Sequence, residues 1–158
     1  MTWSEPSLAP FLPTPSEVVI AMLQLAGLKE GESLFDLGCG DARVLVIAAR
    51  DFGANATGVE LDEGRAKEAQ NRIRELGLDS KVKIIHGDVM SIPVGLADVV
   101  TLYLTTSGNE RLRPKLEREL RPGTRVVSHD FSIPGWEPRC VQNVFDYVEI
   151  HPVYLYVR

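Results

Sequence analysis

Apolar and polar positions along the chain switch between two periods. Val18, Ala21, Met22 and Leu25 recur at helical spacing, and Thr14, Pro15 and Glu17 before them read as N-cap, first-turn proline and capping-box glutamate. Gly27 marks the stop. Strand-like and helix-like runs then alternate. "SLFDLG" (33–38) reads as a buried strand, followed by a helix near 42–52 with Val44, Ile47 and Ala48 inward. "ATGVEL" (56–61) is a second strand, and residues 63–76 form a helix carrying Ala66, Ala69, Ile73 and Leu76. "KVKIIHGD" (81–88) and "ADVVTLYL" (97–104) are a third and fourth strand. A helix follows near 110–120, in which Pro114 fits the first turn and would kink any deeper one. "TRVVSHDF" (124–131) is the fifth strand, and roughly 139–148 and 151–157 are consecutive strands with no helix between them.

Strands alternating with helices predict an α/β fold: a mostly parallel sheet covered on both faces, closed by an antiparallel hairpin. No internal repeat or low-complexity block follows residue 15, so residues 1–158 are expected to form one domain, with 1–13 a proline-rich segment packing over the site. Ligands of such sheets bind beyond the C-terminal ends of the strands, beside the first one. That rule gathers Asp36 to Arg43, Glu60, Asp88, Tyr103 to Thr106 and Ser128 to Phe131 on one rim.

The stretch "FDLGCGDAR" (35–43) is the turn at the centre of that rim. A dinucleotide fingerprint needs a third glycine three positions after Gly40, and Arg43 stands there instead. Asp36 before the glycines and Asp41 after them would set like charges against a pyrophosphate. S-adenosylmethionine suits the turn better, because its ammonium and sulfonium against one carboxylate leave it net positive. Asp36 is placed for the methionyl ammonium or a water bound to it, and Gly38 and Gly40 let the backbone come close. Glu60, 22 positions after Gly38, is placed for the ribose hydroxyls. Asp88 is placed for the adenine amino group, with Val89 offering a backbone N–H. Cys39 contributes small size and backbone, and Leu61 completes the expected cofactor neighbours.

At these residues the chain resembles the class I, seven-stranded S-adenosylmethionine-dependent methyltransferases. Within them it is most similar to the archaeal broad-specificity protein lysine methyltransferases, which have animal relatives that modify mitochondrial proteins. The likeness runs through "PFLPTP", "DLGCGDAR", "VTLYLTT", "LRPKLERELRPGTRVVSHDF", "GW" and "VYLYV". It implies a Rossmann-like fold with strand order 3-2-1-4-5-7-6, and cofactor roles for Asp36, Gly38, Gly40, Glu60 and Asp88. It also raises the expectation that "PFLPTP", with Thr14, closes over the cofactor. Ala42 departs from the pattern, since such loops more often carry another glycine after the aspartate; a methyl at a helix start is expected to cost little.

Composition narrows the remaining choices. A net charge of −5 argues against broad binding to nucleic acid, and no apolar run reaches the roughly 18 residues of a membrane span. The N-terminus lacks the pattern of a secretory signal, so a cytoplasmic monomer is the expectation. Cys39 and Cys140 lie far apart, and neither a disulfide nor a metal site is indicated. Methyl transfer to lysine needs the neutral amine opposite the sulfur, held by orientation more than by a dedicated base. Tyr103 and Phe131 are the expected walls of that acceptor channel, with Thr105 or His129 as hydrogen-bonding partners. The fourth strand ends in "YLTT", without the Asn/Asp-Pro-Pro-Tyr run of enzymes that methylate nucleobase amines, and no inserted domain lids a small molecule. Proteins with exposed lysines are the expected partners. Plainer readings stand beside these: His86 and His151 as ordinary strand histidines, His129 as scaffolding, Trp136 and Phe131 as core, and Arg111, Arg113, Lys115 and Arg118 as a solvated helix face. An RNA or small-molecule methyltransferase, a silent cofactor-binding protein that needs a partner and a nucleotide-dependent oxidoreductase stay open, the last disfavoured by the acids and the missing glycine.

Overall fold

The computed structural model describes residues 13–158. Its elements are α1 (Ser16–Leu25), β1 (Ser33–Leu37), α2 (Arg43–Phe52), β2 (Asn55–Glu60), α3 (Glu63–Glu75) and β3 (Val82–His86). They continue as β4 (Val99–Leu102), α4 (Thr106–Glu119), β5 (Arg125–His129), β6 (Cys140–Phe145) and β7 (Ile150–Val157). The strands form one seven-stranded sheet in the order β3-β2-β1-β4-β5-β7-β6. The first five run parallel, while β7 lies antiparallel between β5 and β6. This is the architecture that the alternating pattern and the family likeness predict.

Period-two alternation along the strands divides the core between two faces. Leu34, Ala56, Val82, Val99, Val127 and Val153 pack with α1, α2 and α3 on one face. Leu37, Val59, Val100, Leu102, Val126 and Tyr156 pack with Leu112 and Leu116 of α4 on the other. Among the described residues no helix is long and apolar enough to cross a membrane.

Three local expectations give way. Thr14 does not cap α1: the N-cap is Pro15, no side chain caps the helix, and the Thr14 hydroxyl points elsewhere. Helix α4 begins at Thr106 rather than near 110, because Thr105 Oγ1 accepts the Gly108 N–H at 3.0 Å. Pro114 therefore lies in the helix interior, where it leaves the Glu110 carbonyl without its helical donor; its own ring faces solvent. Lys115 is not part of a solvated face. It is 2% exposed, and its Nζ sits 2.5 Å from Glu119 Oε2.

Candidate functional site

The glycine turn is held from below by β2 and from the side by β4. Gly38 N–H and Cys39 N–H both donate to the Val59 carbonyl, at 2.8 and 2.9 Å. Gly38, Gly40 and Ala42 all have positive φ, so the chain coils tightly before α2 starts. At Ala42 (φ 69°) the methyl stands in the left-handed region, where a side chain costs about 1 kcal/mol. Complete burial of its methyl returns a similar amount, about 0.8 kcal/mol.

Asp36 lies at the end of β1, paired in register with Thr101 of β4, whose hydroxyl donates to Asp36 Oδ1 at 2.9 Å. Only 5% of Asp36 is exposed. Burial, against the Thr101 hydrogen bond and with added repulsion from Asp41 and Glu60, pushes its carboxyl up to about 7. Glu60 is equally buried and ties the rim together: Oε1 accepts the Gly40 N–H at 3.0 Å and Oε2 the Asp62 N–H at 2.9 Å. Each of its oxygens keeps lone-pair capacity for a further donor.

Asp41 behaves differently from the sequence expectation. Its carboxylate is gripped by the Arg43 guanidinium, at 2.7 Å from Nη2 and 3.1–3.2 Å from Nε. Arg43 Nη1 also donates to the Thr14 carbonyl at 3.0 Å. The second acid of the turn thus anchors the chain entering α1, and Asp36 is the acid of the turn without a cationic side chain on it among the described residues. Asp88 sits at the rim half-buried, with Oδ1 accepting the Met90 N–H at 2.9 Å. Val89 beside it is buried, while Leu61 is half-buried with its carbonyl 3.0 Å from His86 Nε2.

Beyond β4 and β5 the rim becomes aromatic. The Tyr103 ring lies 3.9 Å from that of His129 and stacks with Phe131 at 6.3 Å. Leu104 reaches within 3.6 Å of where a Cβ on Gly38 would lie, so this end of β4 abuts the glycine turn. Under Tyr103 runs a buried chain of hydrogen bonds: Thr14 Oγ1 to His129 Nδ1 (3.2 Å), His129 Nε2 to His151 Nδ1 (2.8 Å), and His151 Nε2 to Asp146 Oδ2 (2.7 Å). Burial lowers the His129 pKa and keeps that ring neutral. Burial opposes charging of His151 too, but Asp146, Asp130 and Glu149 outweigh it and raise its pKa. Thr105, capping α4, is a helix-positioning residue. Trp136 is half-buried, donates to Glu117 and lies under Arg158, rather than lining the rim.

Residues 36–140 match the model of the ANTKMT methyltransferase domain. The chain belongs to this methyltransferase family. A protein-lysine N-methyltransferase of Saccharolobus islandicus is 46% identical over 94% of this chain and 92% of its own length. The adenine nucleotide translocase lysine N-methyltransferase of Mus musculus is 31% identical over 84% of the chain, which spans 57% of that protein. The crystal structure of an RNA methyltransferase from Salinibacter ruber with S-adenosyl-L-homocysteine superimposes at a TM-score of 0.86. That chain is 41% identical, covering 92% of this one and 93% of itself. The methyl donor of this methyltransferase is S-adenosylmethionine, and the fold, glycine turn and strand-end acids match what that cofactor needs.

Asp36, the glycine turn, Glu60 and Asp88 lie together on one rim as the sequence pattern expects, and the Tyr103–His129–Phe131 side departs from it more. His151 is no ordinary strand histidine, since its ring is buried and shares a hydrogen bond with His129. Asp130, Asp146 and Gly58 carry weight that the sequence pattern does not single out. A Cβ on Gly58 would come within 2.4 Å of Leu45 Cδ1 and 2.7 Å of Cys39 Cβ, so this glycine in β2 lets the turn and α2 settle onto the sheet. A glycine inside a strand, where packing weakens, was the available signal. Expectations for Pro10, Phe11 and Leu12 of "PFLPTP" fall outside the described residues.

Proposed function

We propose that this methyltransferase moves the methyl group of S-adenosylmethionine to the side-chain amine of lysines exposed on other proteins. The reading is carried by 46% identity to a protein-lysine N-methyltransferase along nearly the whole chain. In it, Asp36 faces the methionyl ammonium, Glu60 the ribose hydroxyls and Asp88 the adenine amino group. Gly38, Cys39 and Gly40 give backbone contact, and Leu61, Val89 and Thr14 border the cofactor. Tyr103 and Phe131 flank the methylene stem of the acceptor lysine.

The reaction is an in-line displacement: the amine lone pair forms the new N–C bond as the C–S bond breaks, leaving S-adenosylhomocysteine. A lysine in water is an ammonium, with a pKa of about 10.4. Moving it beside a sulfonium in a partly dry channel disfavours the cation, so its proton passes to water before transfer. Orientation at about 3 Å from the methyl carbon supplies the rest of the rate.

Methylation of RNA is the second reading, favoured by the Salinibacter ruber relative. Incubating the protein with labelled S-adenosylmethionine and a mixed cell extract separates the two. Label on protein that protease removes and nuclease does not, mapped to lysines by mass spectrometry, is the expected result. Label confined to nuclease-sensitive material assigns the RNA reading instead.

A further inference from the structure

Among the described residues, Asp130 is the carboxylate in contact with Tyr103 on the aromatic side of the rim, and its surroundings are unusual. Its backbone has φ 64°, with the Phe131 N–H turned back to the His129 carbonyl at 2.8 Å. This is a γ-turn of the rare, strained hand that non-glycine residues seldom adopt. The turn directs the side chain back over β5 towards Tyr103. Asp130 Oδ2 lies 3.4 Å from the Tyr103 hydroxyl, and Oδ1 lies 3.3 Å from His151 Nδ1 and 3.5 Å from His129 Nε2. These contacts are longer than the 2.7–3.2 Å of well-made hydrogen bonds. No lysine or arginine among the described residues pairs with it, and residues 1–12 contain neither. The carboxylate is a quarter exposed, so it is open to an incoming group.

The wider charge pattern has the same sign. Asp146 and Glu149 in the β6–β7 turn lie against the far side of His151, and the carboxylates of Asp130 and Glu149 help raise the Tyr103 pKa after burial has done so. His129 is neutral, which leaves His151 as the group in this cluster able to carry positive charge. The trio His129, Asp130 and His151 also has the composition of a metal site. However, its two inner ring nitrogens are 2.8 Å apart, a hydrogen-bond separation, and the outer nitrogens already face Thr14 and Asp146. The imidazoles act here as a rigid bed for the carboxylate.

We propose that Asp130 receives the cationic end of the acceptor side chain and so selects lysine for methyl transfer. The proposal rests on the protein-lysine reading above. Between Tyr103 and Phe131, the carboxylate would draw the ammonium to the channel and accept an N–H from the amine after its proton leaves for water. The remaining lone pair then points at the donor methyl. The same negative mouth repels a phosphate backbone.

The test uses the full chain, a lysine peptide and the same peptide with norleucine in place of lysine. Asparagine tolerates the left-handed region well, so Asp130→Asn keeps the turn. Asp130→Asn should raise the KM for the lysine peptide by about tenfold or more, with S-adenosylmethionine affinity and Tm unchanged. Asp130→Glu should recover part of the loss. The wild-type protein should bind the lysine peptide about tenfold more tightly than the norleucine one, and the Asn variant should not distinguish them. An unchanged KM, or equal weakening towards both peptides, overturns the role of Asp130 while wild-type lysine transfer keeps the functional reading intact. Loss of transfer on chelation, with recovery on adding zinc, overturns it by giving the carboxylate to a metal. A wild-type protein that methylates RNA and no lysine removes the functional reading, and this proposal with it.

Discussion

Asp36 is a carboxyl whose charge burial opposes. Its carboxyl is pushed up to about 7, chiefly by desolvation, from an ordinary value of 3.8. A raised carboxyl means that the folded chain binds more protons than the unfolded chain between about pH 4 and 7, so the ligand-free fold loses stability as pH rises through that window. A methionyl ammonium beside Asp36 reverses the preference and expels the proton. Affinity for S-adenosylmethionine should therefore climb by at least about tenfold from pH 5 to pH 7. Calorimetry in buffers of different ionisation enthalpy should detect proton release over the same range, and Asp36→Asn should abolish both effects. A flat affinity profile in the wild-type protein would separate Asp36 from the cofactor. The place of Asp36 beside the turn was legible in the sequence because glycine spacing and strand ends are local patterns. The role of Asp41 was not. Two acids around a glycine pair look alike on paper, and only the folded loop shows that Arg43 occupies one of them. Thr14 escapes its sequence pattern for a related reason: its partner, His129, lies 115 positions away.

Among the elements, β2 and α4 show how tertiary packing overrides local preference. Gly58 in the middle of β2 weakens that strand by propensity, yet Cys39 and Leu45 need its missing side chain. Gly58→Ala should overpack this contact by about 1–3 kcal/mol and lower Tm by roughly 3–10 °C, with a parallel loss of cofactor affinity as Cys39 is displaced. Adding Cys39→Gly to that variant removes two of the three close contacts and should recover part of the Tm, as differential scanning calorimetry would show. Full stability in the single variant would mean that the turn is looser than these contacts imply. The sequence pattern starts helix α4 about four residues too late, because "TSGN" has poor helix propensity. The fold supplies what propensity lacks: Thr105 caps the end, and the buried Asn109 amide donates to the Phe131 and Ser132 carbonyls. Those bonds also fix the loop that follows Asp130. Lys115 looks exposed in the sequence because its neighbours are polar; Glu119 one turn on lets it lie buried. Self-methylation, if it occurs, should accordingly fall on the exposed Lys29 and Lys81 and spare Lys115, which peptide mapping by mass spectrometry would show.

For the molecule as a whole, the parallel part of the sheet was readable from alternating periods, and the strand order came through family likeness, since periodicity carries no information about neighbours. The segment before Pro13 leads into Thr14, which is tied to the glycine turn through its carbonyl and Arg43, and to the aromatic side of the rim through its hydroxyl and His129. Deleting residues 1–12 should then reduce methyl transfer by more than it reduces Tm, measured by labelled transfer and thermal unfolding on one sample. Equal activity would reduce the segment to a tail. The position of β7 has a further result. It pairs with β5 along residues 125–129 and with β6 along 140–145, and the Arg158 N–H closes onto the Thr124 carbonyl at 2.9 Å. β7 is the last of these strands in chain order, so β1 to β5 can pair before residues 150–157 have been made. During that interval β5 presents a bare apolar edge, and the two histidines have not yet met. A nascent methyltransferase can thus assemble its glycine turn first, and it completes its aromatic side only once β7 has paired; that delay is when chaperones have the most to shield.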